Sequence, residues 1–223
     1  MALRQIRTYG DPVLEKKSKD VKEMTPRIRE LIDDMLETMY DQEGVGLAAP
    51  QVGVLRRLLV IDVTGMEDEE TGEAPKDAKE QGAVAGEDAG KKDGDRKPGR
   101  HRKKRADGAG QEPREPDNIR PDGTVVPPWE GPLVMINPVM LETWGEQKGQ
   151  EGCLSVPGKA GDVTRPSYVR AKALDVDMNE FEVEATGLLA RAICHEMDHL
   201  DGIVYVTRVE GDLYDVQSEE EEA

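Results

Sequence analysis

The sequence predicts an α+β fold in which short, mainly antiparallel strands surround one central helix, with a long disordered insertion in the chain. Two segments have apolar residues at helical spacing, and several short segments alternate in the manner of strands. Between them lies a polar stretch, residues 66–128, with few large apolar side chains. Because such a stretch buries too little surface to offset its ordering entropy, we expect it to be disordered.

The domain organisation follows from the distribution of apolar residues. The chain of 223 residues is 36% hydrophobic and 35% charged, and the apolar depletion is concentrated in the insertion. A chain of this length is long enough for one domain with its own core. We therefore expect a single domain formed by residues 1–65 and 129–210, interrupted by the insertion 66–128 and followed by an acidic tail, residues 211–223.

The first predicted element is a helix that begins at Pro26, with Thr25 as its N-cap. Gly44 is expected to end it. A glycine-rich loop, residues 44–53, and an apolar strand, residues 58–63, follow. The apolar residues that give the helix its spacing are Ile28, Leu31, Ile32, Met35, Leu36 and Met39.

On the C-terminal side of the insertion, the sequence predicts further strands and a second helix. The helix begins after its N-cap Thr186, covers residues 187–200 and ends at Gly202. The strands have apolar residues at alternate positions or in short runs. Their ranges are 133–136, extending past Pro138 into 140–144, then 167–176, 180–185 and, last in the chain, 203–206.

The charge of the chain restricts its partners and location. The formal net charge is −17, so any contact with RNA would have to be local rather than driven by the whole molecule. The N-terminus has no apolar signal-peptide region, and no apolar run is long enough to span a membrane. We therefore expect a cytoplasmic protein, in which Cys153 and Cys194 stay reduced and either bind metal, take part in chemistry or pack in the core.

The second helix carries the clearest chemical signal, the sequence His195-Glu196-Met197-Asp198-His199. Two histidines at positions i and i+4 lie on one face of a helix, so both imidazoles can reach one metal ion. Glu196 lies beside them, where a carboxylate can handle the proton of a metal-bound water molecule. The pattern predicts a metal-binding helix with a hydrolytic site. The alternative interpretation is two histidines that pack in the core and bind no metal.

A hydrolytic metal site needs a third protein ligand and an open position for water. Cys153 is the best candidate, because a thiolate binds zinc or ferrous iron and the preceding Gly152 lets the backbone approach closely. His101 lies in the insertion and is a poor candidate. Cys194 adjoins His195, but neighbouring helix residues are about 100° apart, so we interpret Cys194 as a packing residue.

The glycine-rich loop gives a third signal. Its glycines allow the backbone to approach a ligand, and the side-chain amide of Gln51 can donate a hydrogen bond to a developing oxyanion. Taken alone, the loop is best interpreted as a connection between a helix and a strand.

Together, these three segments resemble the peptide deformylase family. That family is marked by the patterns G-x-G-L-A-A-x-Q, E-G-C-L-S and H-E-x-D-H-L. This chain has all three in the family's order, at residues 44–51, 151–155 and 195–200. Residues 10–14, with the sequence GDPVL, also look like the family. The resemblance covers the chain except for the insertion and the acidic tail.

The resemblance implies a metal-dependent hydrolase that removes the N-terminal formyl group from formyl-methionine of nascent polypeptides and releases formate. It also implies one divalent metal ion, usually Fe(II), with Zn(II), Ni(II) or Co(II) able to occupy the site. By role, the implied residues are Cys153, His195 and His199 as metal ligands; Glu196 as general base and then general acid; Gln51 and the backbone N–H of Leu154 as oxyanion donors; and Gly46, Val45, Glu151 and Leu188 as substrate-binding residues.

The chain departs from the family pattern at several places, and the long insertion is one of them. Many relatives have Gln where this chain has Cys194, a position that is not a ligand. Many have an aliphatic residue in the methionine pocket where this chain has Arg191, whose aliphatic stem could still line that pocket. Some bacterial relatives end in a helix that docks on the ribosome, whereas the tail here, SEEEEEA, would be repelled by RNA phosphates.

Other functions remain open at this stage. A zinc endopeptidase shares H-E-x-x-H, although the cysteine ligand and the E-G-C-L-S context argue against it. A cysteine nucleophile would need a histidine base, and both good histidines are better explained as ligands. An inactive metal-binding scaffold is disfavoured because Glu196 and Gln51 are both present. Ribosome or RNA binding through the basic segment 91–105 could coexist with catalysis, since it uses other residues.

Overall fold

The structure of the protein is a computed structural model that describes residues 2–64 and 131–216. The regular elements in these ranges, in chain order, are α1 (Pro26–Asp41), β1 (Gly46–Ala48), a 3-10 turn (Ala49–Val52), β2 (Leu58–Ile61), β3 (Leu133–Trp144), β4 (Gln147–Gly152), β5 (Lys159–Arg165), β6 (Tyr168–Leu174), β7 (Glu180–Thr186), α2 (Gly187–Leu200), a second 3-10 turn (Tyr205–Thr207) and β8 (Tyr214–Asp215). None of the helices in the described ranges combines the length and the apolar character that a membrane crossing requires.

The strands form two antiparallel sheets. The larger has the order β1-β2-β3-β6-β7 and the smaller has the order β4-β5-β8. Every pair of neighbouring strands is antiparallel. The helix α2 packs against β1, β2, β6 and β7 of the larger sheet. The α+β class with a central helix, which the sequence predicts, is therefore confirmed.

Helix α1 begins as predicted and ends slightly earlier than predicted. The side chain of Thr25 accepts a hydrogen bond from the backbone N–H of Ile28, and a proline follows the cap. At the other end the left-handed residue is Glu43, with φ of 52°, rather than Gly44. The N–H of Gly44 donates to the carbonyl of Met39 at 2.9 Å, which completes a Schellman-type ending.

Helix α2 has the predicted limits and is the most buried helix of the fold. It follows Thr186 and ends at Leu200, with Gly202 in the left-handed region at φ of 78°. A Cβ at Gly202 would lie 2.6 Å from the carbonyl oxygen of Glu15, so both conformation and space require glycine. The apolar face of α2 packs in one core cluster, which includes Leu189, Ala190, Ile193, Leu59, Met135, Val169 and Val183.

The strand prediction on either side of Pro138 is also confirmed, and the structure shows how the proline is accommodated. The register of β3 against β6 shifts between Ile136 and Val139, which is a β-bulge. Asn137 takes a left-handed conformation there, with φ of 51°. Its side-chain amide exchanges two hydrogen bonds of 2.8 Å with the backbone of Val21. One strand therefore runs continuously through both predicted segments.

The structure corrects one feature near the C-terminus. The strand predicted at 203–206 is wrong: Tyr205–Thr207 form a 3-10 turn, because the buried Tyr205 side chain packs beside Leu14 and Val163 and its hydroxyl donates to the Lys159 carbonyl. Further along the chain, β8 (Tyr214–Asp215) pairs with β5.

The hairpin β4–β5 was not predicted. β4 contains only polar residues and glycines, and Glu151 is its one buried residue, so β4 lacks the apolar alternation that marks a half-buried strand. The insertion, residues 66–128, and the rest of the acidic tail lie outside the described residues. The domain boundaries and the disorder expected for the insertion therefore stay predictions.

Candidate active site

The two histidines of α2 and Cys153 converge at one point. His195 and His199 are one helical turn apart, with ring centroids separated by 5.1 Å. Cys153 follows the end of β4, and its Sγ lies 3.2 Å from Nε2 of His199. One potential ligand atom from each of the three residues lies within 4.8 Å of the other two. The three side chains that the sequence groups together are therefore brought together by the fold.

The chemistry of this cluster fits a divalent cation. One sulfur and two imidazole nitrogens are a donor set that suits zinc or ferrous iron. Burial lowers the pKa of His199 well below its usual range, which favours the neutral imidazole that a metal requires. Burial also acts to lower the pKa of His195, but the neighbouring Cys153 sulfur and Glu151 carboxylate outweigh it and raise the pKa well above its usual range. The surroundings of His195 therefore favour positive charge at its ring.

Glu196 lies next to the cluster and is buried. Glu196 is only 4% exposed, and burial raises the pKa of its carboxyl group to about 7. Its Oε2 has no hydrogen-bond partner among residues 2–64 and 131–216. A buried carboxyl group with a free oxygen and a pKa near neutrality is suited to accept and return a proton.

Gly46 makes room for Glu196. A Cβ at Gly46 would lie 2.5 Å from Oε1 of Glu196 and 2.9 Å from its Cδ, which is closer than real side chains approach. The φ angle of Gly46 is not in the left-handed region, so the glycine is required by space rather than by backbone conformation. The first glycine of the motif, Gly44, is crowded in a similar way by Leu154, whose Cδ1 would be 2.8 Å from an added Cβ.

Gln51 is held between the loop and the cluster. Its Oε1 accepts a hydrogen bond of 2.7 Å from the backbone N–H of Ala48. Its Nε2 donates to Oγ of Ser155 at 3.2 Å and to Sγ of Cys153 at 3.4 Å. The side chain is fixed at both ends, which leaves its amide N–H groups directed at the cluster. Ser155 takes part in this arrangement although the sequence analysis assigns it no role.

Glu151 has a different environment from the one expected of a substrate-binding side chain. Its Oε2 contacts Nδ1 of His195 at 2.9 Å, and Arg165 donates to both carboxylate oxygens at 2.9 Å. Arg191 donates to Oε1 at 3.0 Å. Burial acts to raise the pKa of Glu151, but the hydrogen bonds with His195 and Arg165 lower it to about 2. The carboxylate thus orients the imidazole of His195, in the way that carboxylates beside metal-binding histidines commonly do.

A chain of charged groups continues from Glu151 to the surface. Arg165 also contacts Asp198 at 2.5 Å, and Asp198 accepts two further hydrogen bonds from the more exposed Arg208. The role of Arg165 was not predicted, because this residue lies in the unpredicted strand β5. Residues 159–165 contain only one large apolar side chain, Val163, and two other charged residues, so no local pattern distinguishes this arginine.

The cluster opens into a cavity of about 760 Å³. Val45, Gly46, Gln51, Leu154 and Leu188 all line it, as do Cys153, His195 and Glu196. The four predicted substrate-binding residues, Glu151 included, therefore line a common space. A second cavity of about 660 Å³ lies beside the N-terminal end of α1, and none of the predicted site residues lines it.

Cys194 lies outside the cluster. It packs in the core with Leu189 and Ile193, and burial raises the pKa of its thiol to about 11. A buried thiol with a raised pKa is a poor nucleophile and a poor ligand. The structure agrees with the interpretation of Cys194 as a packing residue.

The geometry of the site agrees with the comparison of the whole chain with known proteins. A family model described as polypeptide deformylase matches residues 3–213. The chain belongs to the polypeptide deformylase family. Family membership confirms the resemblance and the enzyme class that the three motifs predict.

Relatives in this family match along almost the full length of the chain. The peptide deformylase of Agathobacter rectalis is 46% identical over 220 residues, which are 99% of this chain and 98% of that protein. The crystal structure of a peptide deformylase from Legionella pneumophila superposes with a TM-score of 0.64 at 31% identity, covering 94% of this chain and 87% of that one. A Synechococcus elongatus peptide deformylase, solved in complex with actinonin, has a TM-score of 0.62 at 31% identity and covers 92% and 78%.

Proposed function

We propose that the chain hydrolyses the N-terminal formyl group of formyl-methionyl polypeptides, giving formate and a free amino terminus. The observation that carries this proposal is the convergence of Cys153, His195 and His199 beside Glu196 in one cavity, in a chain of this family. The substrate is a formylated peptide or nascent chain, and the site of action is the cytoplasm.

Cys153, His195 and His199 would hold one divalent ion, which we propose is Fe(II) natively, with Zn(II), Ni(II) or Co(II) as substitutes. When bound there, the ion supplies a Lewis acid and lowers the pKa of water. Glu151 keeps the ring of His195 in the ligating orientation through its contact with Nδ1.

Glu196 carries the proton through the reaction. As water attacks the formyl carbon, the carboxylate accepts a proton from that water. When the carbon–nitrogen bond breaks, the same group gives the proton to the leaving amine. Its pKa of about 7 supports both transfers, because neither protonation state is strongly favoured at neutral pH.

Gln51 and Leu154 would stabilise the negative charge that develops on the carbonyl oxygen. The Nε2 group of Gln51 is already directed at Cys153, at 3.4 Å, so one N–H lies beside the candidate ligands. The backbone of Leu154 belongs to the turn that follows Cys153 and also lines the cavity. Donors fixed before the reaction contribute more than donors that must reorient.

The peptide would lie against β1. Within the described sheets, β1 pairs only with β2, so its other edge offers backbone groups to a peptide strand. Val45 and Gly46 line the cavity at this edge, and Leu188 lines it from the first turn of α2. Main-chain pairing would hold peptides of varied sequence, while apolar contacts would receive the methionine side chain.

The deciding experiment measures formate release from formyl-Met-Ala-Ser by protein purified anaerobically, with its metal content determined on the same sample. We expect stoichiometric metal and formate release with the formyl peptide, and no cleavage of the N-acetylated peptide. Cleavage at an internal peptide bond would instead identify an endopeptidase. A metal-loaded protein that releases no formate would be an inactive scaffold.

Ribosome contact is a separate proposal that does not depend on the active site. The segment 91–105 is strongly basic in an otherwise acidic chain. It lies outside the described residues, and its positive charge is what would attract RNA phosphates.

A further inference from the structure

Arg191 has an unusual environment for an arginine on the wall of a catalytic cavity. It lies in α2, one turn before His195, and its side chain is only 10% exposed. The guanidinium lies within hydrogen-bond distance of four acceptors and thereby connects α2 to the β4–β5 hairpin. Nη1, which has two N–H groups, shares them among three of these acceptors, and Nη2 donates to the fourth, the Gln147 carbonyl. The acceptors are the backbone carbonyls of Gln147 (3.2 Å), Gly149 (3.3 Å) and Val163 (3.0 Å), and Oε1 of Glu151 (3.0 Å).

Because Gly149 has no side chain, it leaves space for this guanidinium. A Cβ at Gly149 would lie 2.8 Å from Nη2 of Arg191 and 3.2 Å from its Cζ. The φ angle of Gly149 is outside the left-handed region, so its backbone conformation does not demand glycine. The close approach of Arg191 is therefore the physical reason for a glycine at this position.

The hairpin that Arg191 holds carries one metal ligand, and the helix that carries Arg191 holds the other two. Strand β4 pairs only with β5 within the described sheets and ends one residue before Cys153. Glu151, near the end of β4, contacts His195 at 2.9 Å. Any movement of β4 relative to α2 would thus change both the position of Cys153 and the orientation of His195.

We propose that Arg191 is a positioning residue that fixes β4 against α2, with Gly149 as its matched partner, so that the Cys153 and His195 ligands keep their relative geometry. The inference rests on the proposed function, because it assigns a role toward the same metal site. Arg191 itself does not contact the substrate in this role, since its donors are directed at protein carbonyls and Glu151.

Only arginine satisfies this set of acceptors. Its planar group has five N–H donors in a fixed fork, whereas lysine has three donors on one atom. An aliphatic side chain would leave Glu151 with one hydrogen bond fewer and would remove the side-chain contacts from α2 to the backbone of β4 and β5.

The first test compares Arg191→Lys with Arg170→Lys, a change at an exposed arginine of β6 that pairs with Glu142 and Glu182. Each zinc-loaded protein is assayed for kcat and KM with formyl-Met-Ala-Ser and for zinc release to a chelator. For Arg191→Lys we expect kcat about tenfold lower and zinc release about tenfold faster, with KM changed less than about twofold. Arg170→Lys is expected to match the parent protein. Unchanged kcat and zinc release in Arg191→Lys would overturn the proposal.

The second test is a double-mutant cycle with Gly149→Ala and Arg191→Ala, again on zinc-loaded protein that retains its far-UV circular dichroism. We expect Gly149→Ala to accelerate zinc release by about tenfold in the parent and to have almost no further effect beside Arg191→Ala, because the methyl group then meets no guanidinium. Equal effects of Gly149→Ala in both backgrounds would show that the two residues do not act together.

The two proposals can fail separately. If the parent protein releases no formate, the proposed function is refuted. The rate of zinc release from the variants still tests the positioning role of Arg191 in that case.

Discussion

Glu196 shows how a single residue acquires its function from its surroundings. An ordinary glutamate is ionised at neutral pH, but this one is buried against Gly46 and beside two histidines. Burial disfavours the charged form, and the neighbouring cationic groups only partly compensate. Its role can therefore be tested by removing the ability to titrate while keeping the shape.

Glu196→Gln is expected to keep its metal and to lose about 10²–10⁴-fold in kcat, because a positioned general base typically contributes that much. The measurement is formate release by protein of known metal content. Glu182→Gln, on the exposed side of β7, is the matched control and is expected to be fully active. Near-parental activity in a metal-loaded Glu196→Gln protein would remove Glu196 from the mechanism.

Gly46→Ala tests the space around Glu196. The added Cβ would lie 2.5 Å from Oε1, so the carboxylate has to shift. A misplacement of about 1 Å in a catalytic group can cost about 10²-fold in rate, and we expect a loss of that order in kcat with metal content unchanged. If kcat is retained and only KM rises, Gly46 contributes to peptide binding rather than to the placement of Glu196.

The ligand assignment predicts a contrast between the two cysteines. Cys153→Ser, His195→Ala and His199→Ala should each lower metal occupancy, because each removes one of the three clustered donor atoms. Cys194→Ser should retain metal, since this thiol packs in the core. Metal analysis of the four purified proteins decides the matter, and loss of metal in Cys194→Ser alone would mean that the wrong cysteine was assigned.

At the scale of elements, a buried carboxylate of α1 binds the N-terminal segment, residues 2–4, through hydrogen bonds. Asp34 is 2% exposed and accepts hydrogen bonds from the backbone N–H of Ala2 and from the guanidinium of Arg4. Burial acts to raise the pKa of Asp34, but these hydrogen bonds outweigh it and the pKa is lowered. The residues that follow this segment contact the site, because the N–H groups of Arg7 and Tyr9 donate to the carbonyls of Gln51 and Ser155.

Asp34→Asn is expected to lower the free energy of unfolding by about 2 kcal/mol at pH 7, the usual range for a hydrogen bond to a charged group. Because the pKa of Asp34 is lower in the folded state, its stabilising effect is present above the unfolded value, near 3.8, and is lost as pH falls through the folded value. Urea unfolding at several pH values should thus show a difference that shrinks in acid. A difference that grows on acidification would contradict this account. Asp33→Asn, a change at the exposed residue next to Asp34, is the control.

At the scale of the whole molecule, the insertion connects two strands that are already paired. Ile61 at the end of β2 lies opposite Leu133 at the start of β3 in an antiparallel ladder. Partner residues in such a ladder are only about 5 Å apart, so a short turn can join the two strands. None of the candidate site residues lies between β2 and β3.

Replacing residues 67–122 by a short Gly/Ser linker should therefore leave folding and formate release largely intact. Shortening a flexible loop changes its closure entropy by only about 0.6 kcal/mol per halving. Thermal unfolding and kcat/KM with formyl-Met-Ala-Ser are the measurements. An unfolded or inactive deletion protein would mean that the segment contributes to the folded domain.

The same deletion protein can be used to test whether segment 91–105 contacts the ribosome. If the segment binds ribosomal RNA, the full chain should bind ribosomes more tightly than the deletion protein, and the difference should decrease as salt is added. Acidic residues at 67–70 can neutralise the segment internally and weaken such binding. Equal binding by both proteins at low salt would end this proposal.

The sequence by itself determined the helices and the reacting groups. Apolar residues at helical spacing and Thr25 with Pro26 located α1, while Gly202 located the end of α2, because these signals depend on neighbours within a few residues. Likewise, the i, i+4 spacing put both histidines on one face regardless of the rest of the fold.

Only the tertiary structure decided what each of these groups touches. Glu151 and Arg191 are separated by 40 residues, and Glu151 and His195 by 44, so no local pattern could show their contacts. The polar strand β4 has no apolar alternation of its own. Its position depends on pairing with β5 and on the contact of Arg191 with Gly149. Local spacing therefore specified which chemistry the chain carries, whereas long-range packing specified the orientation, burial and pKa that make this chemistry possible.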